Sequence, residues 1–267
     1  VLQGGVIPEG TKVTGVYRIV IYAAQNKIGV VPLRVMIMPQ DWLRFAKSRG
    51  NTGEQEEYLK KAAARNREDA GVRKILAGIY VQQHRIGAAA KMYEEVLRII
   101  PGDVLAMKEL ARCLVQLGQE DRAVDLLSRL TGVPAEDAEV HAMLGAAYGR
   151  KNSWNKAAES YSRAVQMDPE NHAVRLLLAQ AYERSRQPDA AMEQYRWVIQ
   201  HAPDAAPAWQ GMGDLYLKSG QFAKAVDCYK RVLDIRPKDA AAHANLATAY
   251  AGQGKAKEEM EHLKQAA

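Results

Sequence analysis

The chain of 267 residues is long enough for one or two domains with a buried core, and its 48% hydrophobic and 25% charged residues are typical of a soluble globular protein. The net charge of +6 indicates a mild preference for acidic partners, or charges that only solvate helix faces. Basic and acidic residues alternate along the chain, so the composition argues against nucleic acid as a partner.

Two cysteines, Cys113 and Cys228, are too few for a disulfide framework and lack the spacing of a metal site. No apolar run is long enough to span a bilayer, and no signal peptide is recognisable. The sequence starts at Val1, so the earlier removal of a signal or anchor stays open. The expected compartment is the bacterial cytoplasm or the cell envelope.

Residues 1–38 contain two β-branched runs, "TKVTGVYRIVIYA" and "KIGVVPLRVMIM", separated by "AQN". This pattern predicts a β-hairpin, with Pro32 favouring an edge or a bulge. An isolated hairpin is marginally stable in water, so it must pack on something else. The segment is similar to the last hairpin of a bacterial immunoglobulin-like domain and could be the remnant of a β-sandwich. The alternative is a local cap on the helices that follow.

The rest of the chain repeats itself every 34 residues. Steps of 34 from Leu144, Gly145 and Tyr148 reach the equivalent residues Leu178, Ala179, Tyr182, Met212, Gly213, Tyr216, Leu246, Ala247 and Tyr250. Apolar residues inside each unit recur at helical spacing, and a proline follows the second half of the unit. We therefore expect two helices per unit, with small residues where helices approach closely. One such pair cannot bury its apolar face alone, whereas stacked pairs can.

The pattern resembles that of the tetratricopeptide repeat family, W-x2-L-G-x2-Y, then A-x3-F, then P. The fullest match is formed by Trp209, Met212, Gly213, Tyr216, Ala225, Tyr229 and Pro237. The resemblance implies an all-α fold, a right-handed superhelical α-solenoid of helix-turn-helix repeats over residues 39–267. The expected repeats are a degenerate 36–69, then 70–103, 104–137, 138–171, 172–205 and 206–239, and a truncated 240–267.

In this family the first helix of each repeat lines a concave groove, and its variable positions face the ligand. Carried onto this sequence, the resemblance implies the groove residues Lys74, Lys108, Arg112, Met143, Arg150, Leu176, Gln180, Arg184, Gln210, Asp214 and Asn245. Such a groove, basic in its N-terminal half and apolar in the middle, suits a protein or peptide segment with acidic and apolar residues. Alternatively, the charges only keep the groove soluble.

The chain lacks the sequence signatures of an enzyme. Its six histidines are scattered, and no nucleophile elbow, phosphate loop or paired-histidine motif occurs. We therefore expect no catalytic residue, cofactor or metal. The predicted function is a non-enzymatic protein–protein interaction scaffold. A structural self-assembly subunit and an accessory domain of a larger bacterial envelope protein are the alternatives.

Two further expectations concern single side chains. If the groove hypothesis holds, Lys108→Glu combined with Arg112→Glu should leave folding intact and abolish the capture of an acidic peptide. Trp197 is expected either to be exposed on the convex face, as a contact for a second copy, or to fold back over Tyr195 or the next helical turn.

Overall fold

The structure is a computed structural model that describes residues 16–23, 26–34, 52–132 and 137–266. The expected first helix of the degenerate repeat, "DWLRFAKSRG", lies outside the described residues.

Two strands precede the helices, β1 (Val16–Ala23) and β2 (Asn26–Arg34). They pair in an antiparallel manner, with Arg18 opposite Pro32. The pairing shifts its register between Ile21 and Tyr22, so the irregularity lies away from the proline. Whether these strands cap the helices or belong to a sandwich stays a prediction.

The helical part of the described chain contains thirteen helices. They are α1 (Thr52–Arg65), α2 (Ala70–Gln82), α3 (Ile86–Ile99), α4 (Val104–Gln116), α5 (Glu120–Ser128), α6 (Ala138–Arg150), α7 (Trp154–Met167), α8 (His172–Arg184), α9 (Pro188–His201), α10 (Ala206–Lys218), α11 (Phe222–Ile235), α12 (Ala240–Gly252) and α13 (Ala256–Ala266). The even-numbered helices are the first helices of their repeats, and the odd-numbered ones are the second helices.

The chain divides into two units, residues 1–101 with α1–α3 and residues 102–267 with α4–α13. Within each unit consecutive helices pack against one another. In the second unit the first helices also touch their successors, as α8 does with α10 and α10 with α12. This is the packing expected of an α-solenoid, in which each repeat rests on its neighbours.

The turn between the two helices of a repeat contains one residue in the left-handed region. These residues have φ between 56° and 73° and follow one another at intervals of 34 residues, as His84, Gly118, Asn152, Arg186, Gly220 and Gly254. A side chain with a Cβ disfavours this conformation, which explains why glycine fills half of these positions.

The capping residues at the starts of the first helices also recur at intervals of 34 residues. The residue before a first helix accepts a hydrogen bond from the backbone N–H three residues later, at 3.0–3.1 Å, and this residue is Asp69, Asp103, Asp137, Asn171 or Asp239. The equivalent residue before α10 is Ala205, which offers no side-chain cap. One first helix of the second unit therefore begins without the stabilisation that the others have.

Replacing Ala205 with aspartate is expected to raise the free energy of unfolding by about 1 kcal/mol, because the new carboxylate can accept a backbone N–H at the start of α10. Urea denaturation followed by circular dichroism measures the change. Asp239→Ala is the matched control and should lower stability by a similar amount. An Ala205→Asp variant no more stable than the wild type would show that this helix start has no room for a cap.

The backbone carbonyl of the proline that ends a repeat also accepts a hydrogen bond that recurs along the chain. A side-chain N–H six residues further along donates to it at 2.9–3.2 Å, in the pairs Arg175–Pro169, Trp209–Pro203 and His243–Pro237. This hydrogen bond was not predicted from the sequence. It explains how arginine or histidine can occupy the slot that the family pattern gives to tryptophan, since all three side chains are N–H donors.

Small residues lie where helices approach closely, as the sequence predicts. A Cβ built on Gly145 would lie 2.6 Å from Cδ1 of Tyr161, so any larger residue would push α6 away from α7. The tyrosines that recur in the second helices fill the core of the second unit, where Tyr195 and Tyr229 are 2% and 0% exposed. The repeated residues thus build the packing between helices.

Candidate functional site

A cavity of about 640 Å³ opens between the first helices α8 and α10. Four of the predicted groove residues line it, namely Gln180, Arg184, Gln210 and Asp214. The other lining residues are Trp154, Glu183, Tyr195, Pro207, Gly211 and Lys218. We refer to this space as the α8–α10 cavity.

The wall of the α8–α10 cavity depends on a close approach between Gly211 and Tyr195. A Cβ on Gly211 would lie 2.3 Å from Cζ of Tyr195, so only glycine lets α10 sit this near the ring. The Tyr195 hydroxyl donates a hydrogen bond of 3.3 Å to Glu183. Burial raises the pKa of Tyr195, so the hydroxyl stays a neutral donor.

Both carboxylates of the cavity have partners within the chain. Asp214 accepts hydrogen bonds from the Tyr229 hydroxyl at 2.6 Å and from the Asn245 side chain at 3.3 Å. The second of these bonds connects two predicted groove residues, Asp214 and Asn245. Burial raises the pKa of Asp214. Glu183 forms an ion pair of 2.5 Å with Lys218.

Arg184 is an exposed cation of the cavity. Its guanidinium carbon lies 5.7 Å from the ring centre of Trp154, a cation–π contact. Among the residues that the structure describes, no carboxylate forms an ion pair with Arg184. Its charge is therefore available to a molecule that enters the cavity.

The other predicted basic residues of the second unit are engaged by carboxylates. Lys108 pairs with Asp137 and, at 2.9 Å, with Glu139. Glu139 also binds Arg112 at 2.7 Å. Burial alone would lower the pKa of Lys108, but its hydrogen bonds to the two carboxylates outweigh burial and raise the pKa. Arg150 is paired in the same manner with Glu120 at 2.8 Å.

Three predicted groove residues lie elsewhere. Lys74 is on α2, in the unit of residues 1–101. Met143 is half-buried on α6, and Leu176 packs against the core cluster around Tyr195. The α8–α10 cavity thus brings together four of the eleven predicted residues, and Asn245 touches it through Asp214.

Six lining residues of the cavity were not predicted from the sequence. Glu183, Pro207 and Lys218 belong to the same first helices as the predicted residues, so a reading of every outward position on α8 and α10 would have found them. Trp154 begins the second helix α7, and no rule about first helices points to it.

Trp197 folds back onto neighbouring side chains. Its ring stacks on His201, one turn further along α9, with ring centres 3.7 Å apart. The Arg175 guanidinium covers it at 3.7 Å. Trp197 is consequently half-buried, which matches the second of its two expected arrangements.

Other chemistry is sparse in the described parts of the chain. They hold no group of three or more histidine, cysteine, aspartate or glutamate side chains that could bind a metal ion. Cys113 and Cys228 are buried free thiols, and burial raises the pKa of both, that of Cys228 to about 12. No described helix has both the length and the apolar character needed to cross a membrane.

Family models identify the chain. A tetratricopeptide repeat model matches residues 81–147 and 151–215, and a second model, described as a TPR repeat, matches residues 213–254. Together the matches span more than half of the sequence. The chain therefore belongs to the tetratricopeptide repeat family.

Solved structures share the fold. One is YrrB, described as a TPR protein with an unusual peptide-binding site, which has a TM-score of 0.60 at 21% identity over 70% of this chain and 96% of its own. A crystal structure of MamA gives a TM-score of 0.58 at 22% identity, covering 62% and 97%. MamA from Desulfovibrio magneticus RS-1 gives 0.57 at 21%, covering 61% and 93%. A search of curated protein sequences finds no significant match.

Proposed function

We propose that the chain is a non-enzymatic scaffold that binds a protein or peptide segment in the α8–α10 cavity. The observation that carries this proposal is the cavity itself, lined mainly by residues of two consecutive first helices, four of them predicted groove positions. The recurring residues beneath it are occupied in packing, so the variable residues are the part of the repeat left for recognition. The peptide-binding site named for YrrB, which shares the fold, supports the same function.

The side chains of Gln180 and Gln210 suit the main chain of a bound segment. An amide group offers two N–H donors and one carbonyl acceptor, which complement the N–H and C=O groups of an extended peptide. In the described residues neither amide has a hydrogen-bond partner. Both groups can therefore form new hydrogen bonds without breaking existing ones.

Filling the cavity tests the proposal. Short random peptides displayed on phage are selected against the wild-type chain, and the selected peptides are synthesised with a fluorescent label. We expect Gln180→Trp to abolish their binding, because an indole on α8 would occupy the cavity. Gln200→Trp is the matched control, the same change at an exposed position on the second helix α9, and should bind normally. Fluorescence anisotropy measures both affinities.

The proposal fails if no selected peptide distinguishes these two variants. Equal binding to Gln180→Trp and Gln200→Trp would place recognition outside the α8–α10 cavity. Circular dichroism melting curves of both variants establish that each is folded before the affinities are compared.

Self-association is the second candidate function, and the last helix favours it. Leu263 on α13 occupies the repeat position held by Tyr229 on α11, yet it is 49% exposed, and Met260 beside it is 59% exposed. Apolar side chains left open in this way can pack against another helix. Light scattering over a concentration series tests the idea. A strict monomer at high concentration, with no difference between the wild type and Leu263→Glu, would reject it.

A further inference from the structure

We infer that Arg184 is the residue of the α8–α10 cavity that binds a carboxylate of the partner, so the bound segment carries aspartate or glutamate at this point. The inference rests on the proposed function and adds the chemistry of the partner. It differs from the sequence-based expectation, which distributed acid recognition over the basic residues of several repeats.

The first step is the distribution of charge in the second unit. Most basic side chains on the first helices already have a carboxylate within hydrogen-bond distance, in the pairs Lys108–Glu139, Arg112–Glu139, Arg150–Glu120 and Lys218–Glu183. A partner carboxylate would have to displace an existing ion pair at each of these places. Arg184 requires no such exchange, because the described residues supply it with no carboxylate.

The second step is the position of the guanidinium group. The guanidinium carbon of Arg184 lies over the indole of Trp154, 5.7 Å from the ring centre, and this cation–π attraction uses none of its N–H donors. Those donors match the two oxygens of a carboxylate, which can accept two parallel hydrogen bonds. The indole thus attracts the cation to this wall of the cavity and leaves its hydrogen-bond donors to the partner.

The third step concerns the two carboxylates in the same cavity, which would repel an acidic partner if they were unsatisfied. Glu183 is neutralised by Lys218 at 2.5 Å and also accepts the Tyr195 hydroxyl. Asp214 is half-buried and accepts the Tyr229 hydroxyl at 2.6 Å. Among the described residues neither carboxylate forms an ion pair with Arg184, so its charge is left for the partner.

The experiment uses the labelled synthetic peptides from the display selection, and compares the wild-type chain with variants at Arg184, at Arg196 and, as above, at Gln180. We expect the peptides to be enriched in aspartate or glutamate, and Arg184→Glu to weaken their binding by about tenfold to a hundredfold. Arg184→Lys should weaken it less, because lysine keeps the charge and loses the paired hydrogen bonds. Arg196→Glu, the same reversal at an exposed position on α9, should leave affinity unchanged.

A charge swap gives the decisive result. A peptide in which lysine replaces the critical acidic residue should bind Arg184→Glu better than it binds the wild type. Peptides that Gln180→Trp blocks but Arg184→Glu does not affect would overturn the assignment of Arg184 and leave the proposed function standing. Peptides indifferent to Gln180→Trp would overturn the proposed function and this inference together.

Discussion

Replacing Tyr229 with alanine is expected to lower the free energy of unfolding by about 3–5 kcal/mol. The ring is fully buried and packs with Leu246, Ala249 and Tyr250 of the following repeat. Truncation would open a cavity between α11 and α12 and remove the hydroxyl that donates to Asp214. In a repeat protein such a loss weakens the contact between neighbouring repeats, on which cooperative folding depends.

Tyr229→Phe is the matched control because it keeps the ring and removes only the hydroxyl. Asp214 would keep its hydrogen bond from Asn245, so we expect a loss of about 1–2 kcal/mol, clearly smaller than that of the alanine variant. Urea denaturation followed by circular dichroism measures both variants. Equal losses for phenylalanine and alanine would show that the hydroxyl, and not the packing of the ring, supplies the stability at this position.

The recurring part of the fold was predictable because it depends on local patterns. Gly145 and Tyr161 recur with the repeat, and the structure places them in contact between two helices. The capping residues also recur, as Asp103 and Asp137 do, and could have been read from the sequence by the same search. Such features follow from helix geometry, which is the same in every repeat.

The charge state of the predicted groove was not predictable in the same way. Lys108 meets Asp137 and Glu139, which follow it by 29 and 31 residues and lie at the start of the next first helix. The family pattern leaves all three positions free, so it carries no information about their pairing. A count of basic residues suggested a positive surface, and only the packing of α4 beside α6 shows how much of that charge is compensated.

The α8–α10 cavity was predictable from the sequence only in part. Gln180, Arg184, Gln210 and Asp214 were found because variable positions of a first helix share one face. Trp154 was missed because its contribution depends on a tertiary contact between the start of α7 and Arg184 at the end of α8. The cation–π contact of Arg184 arises there, and the sequence could not supply it.

The ion pairs of Lys108 change the expected outcome of reversing its charge. From the sequence alone, Lys108→Glu with Arg112→Glu should leave folding intact. In the structure the Lys108 side chain is only 12% exposed and contacts two carboxylates, one of which caps α6. Glutamate at position 108 would place a third carboxylate beside them. We expect Lys108→Glu to lower the free energy of unfolding by about 1–3 kcal/mol, less than for a fully buried pair because both partners are about half exposed.

Two controls separate charge repulsion from lost packing. Lys108→Met keeps most of the aliphatic side chain without a charge and should destabilise less than Lys108→Glu. Arg112→Glu alters a more exposed residue and should have a smaller effect. Urea denaturation at low and high salt measures the difference, which should shrink as salt screens the repulsion.

If Lys108→Glu unfolds at the same urea concentration as the wild type, the ion pairs contribute nothing to stability. If it unfolds earlier, reduced peptide capture by that variant reflects loss of the folded state and not recognition by Lys108.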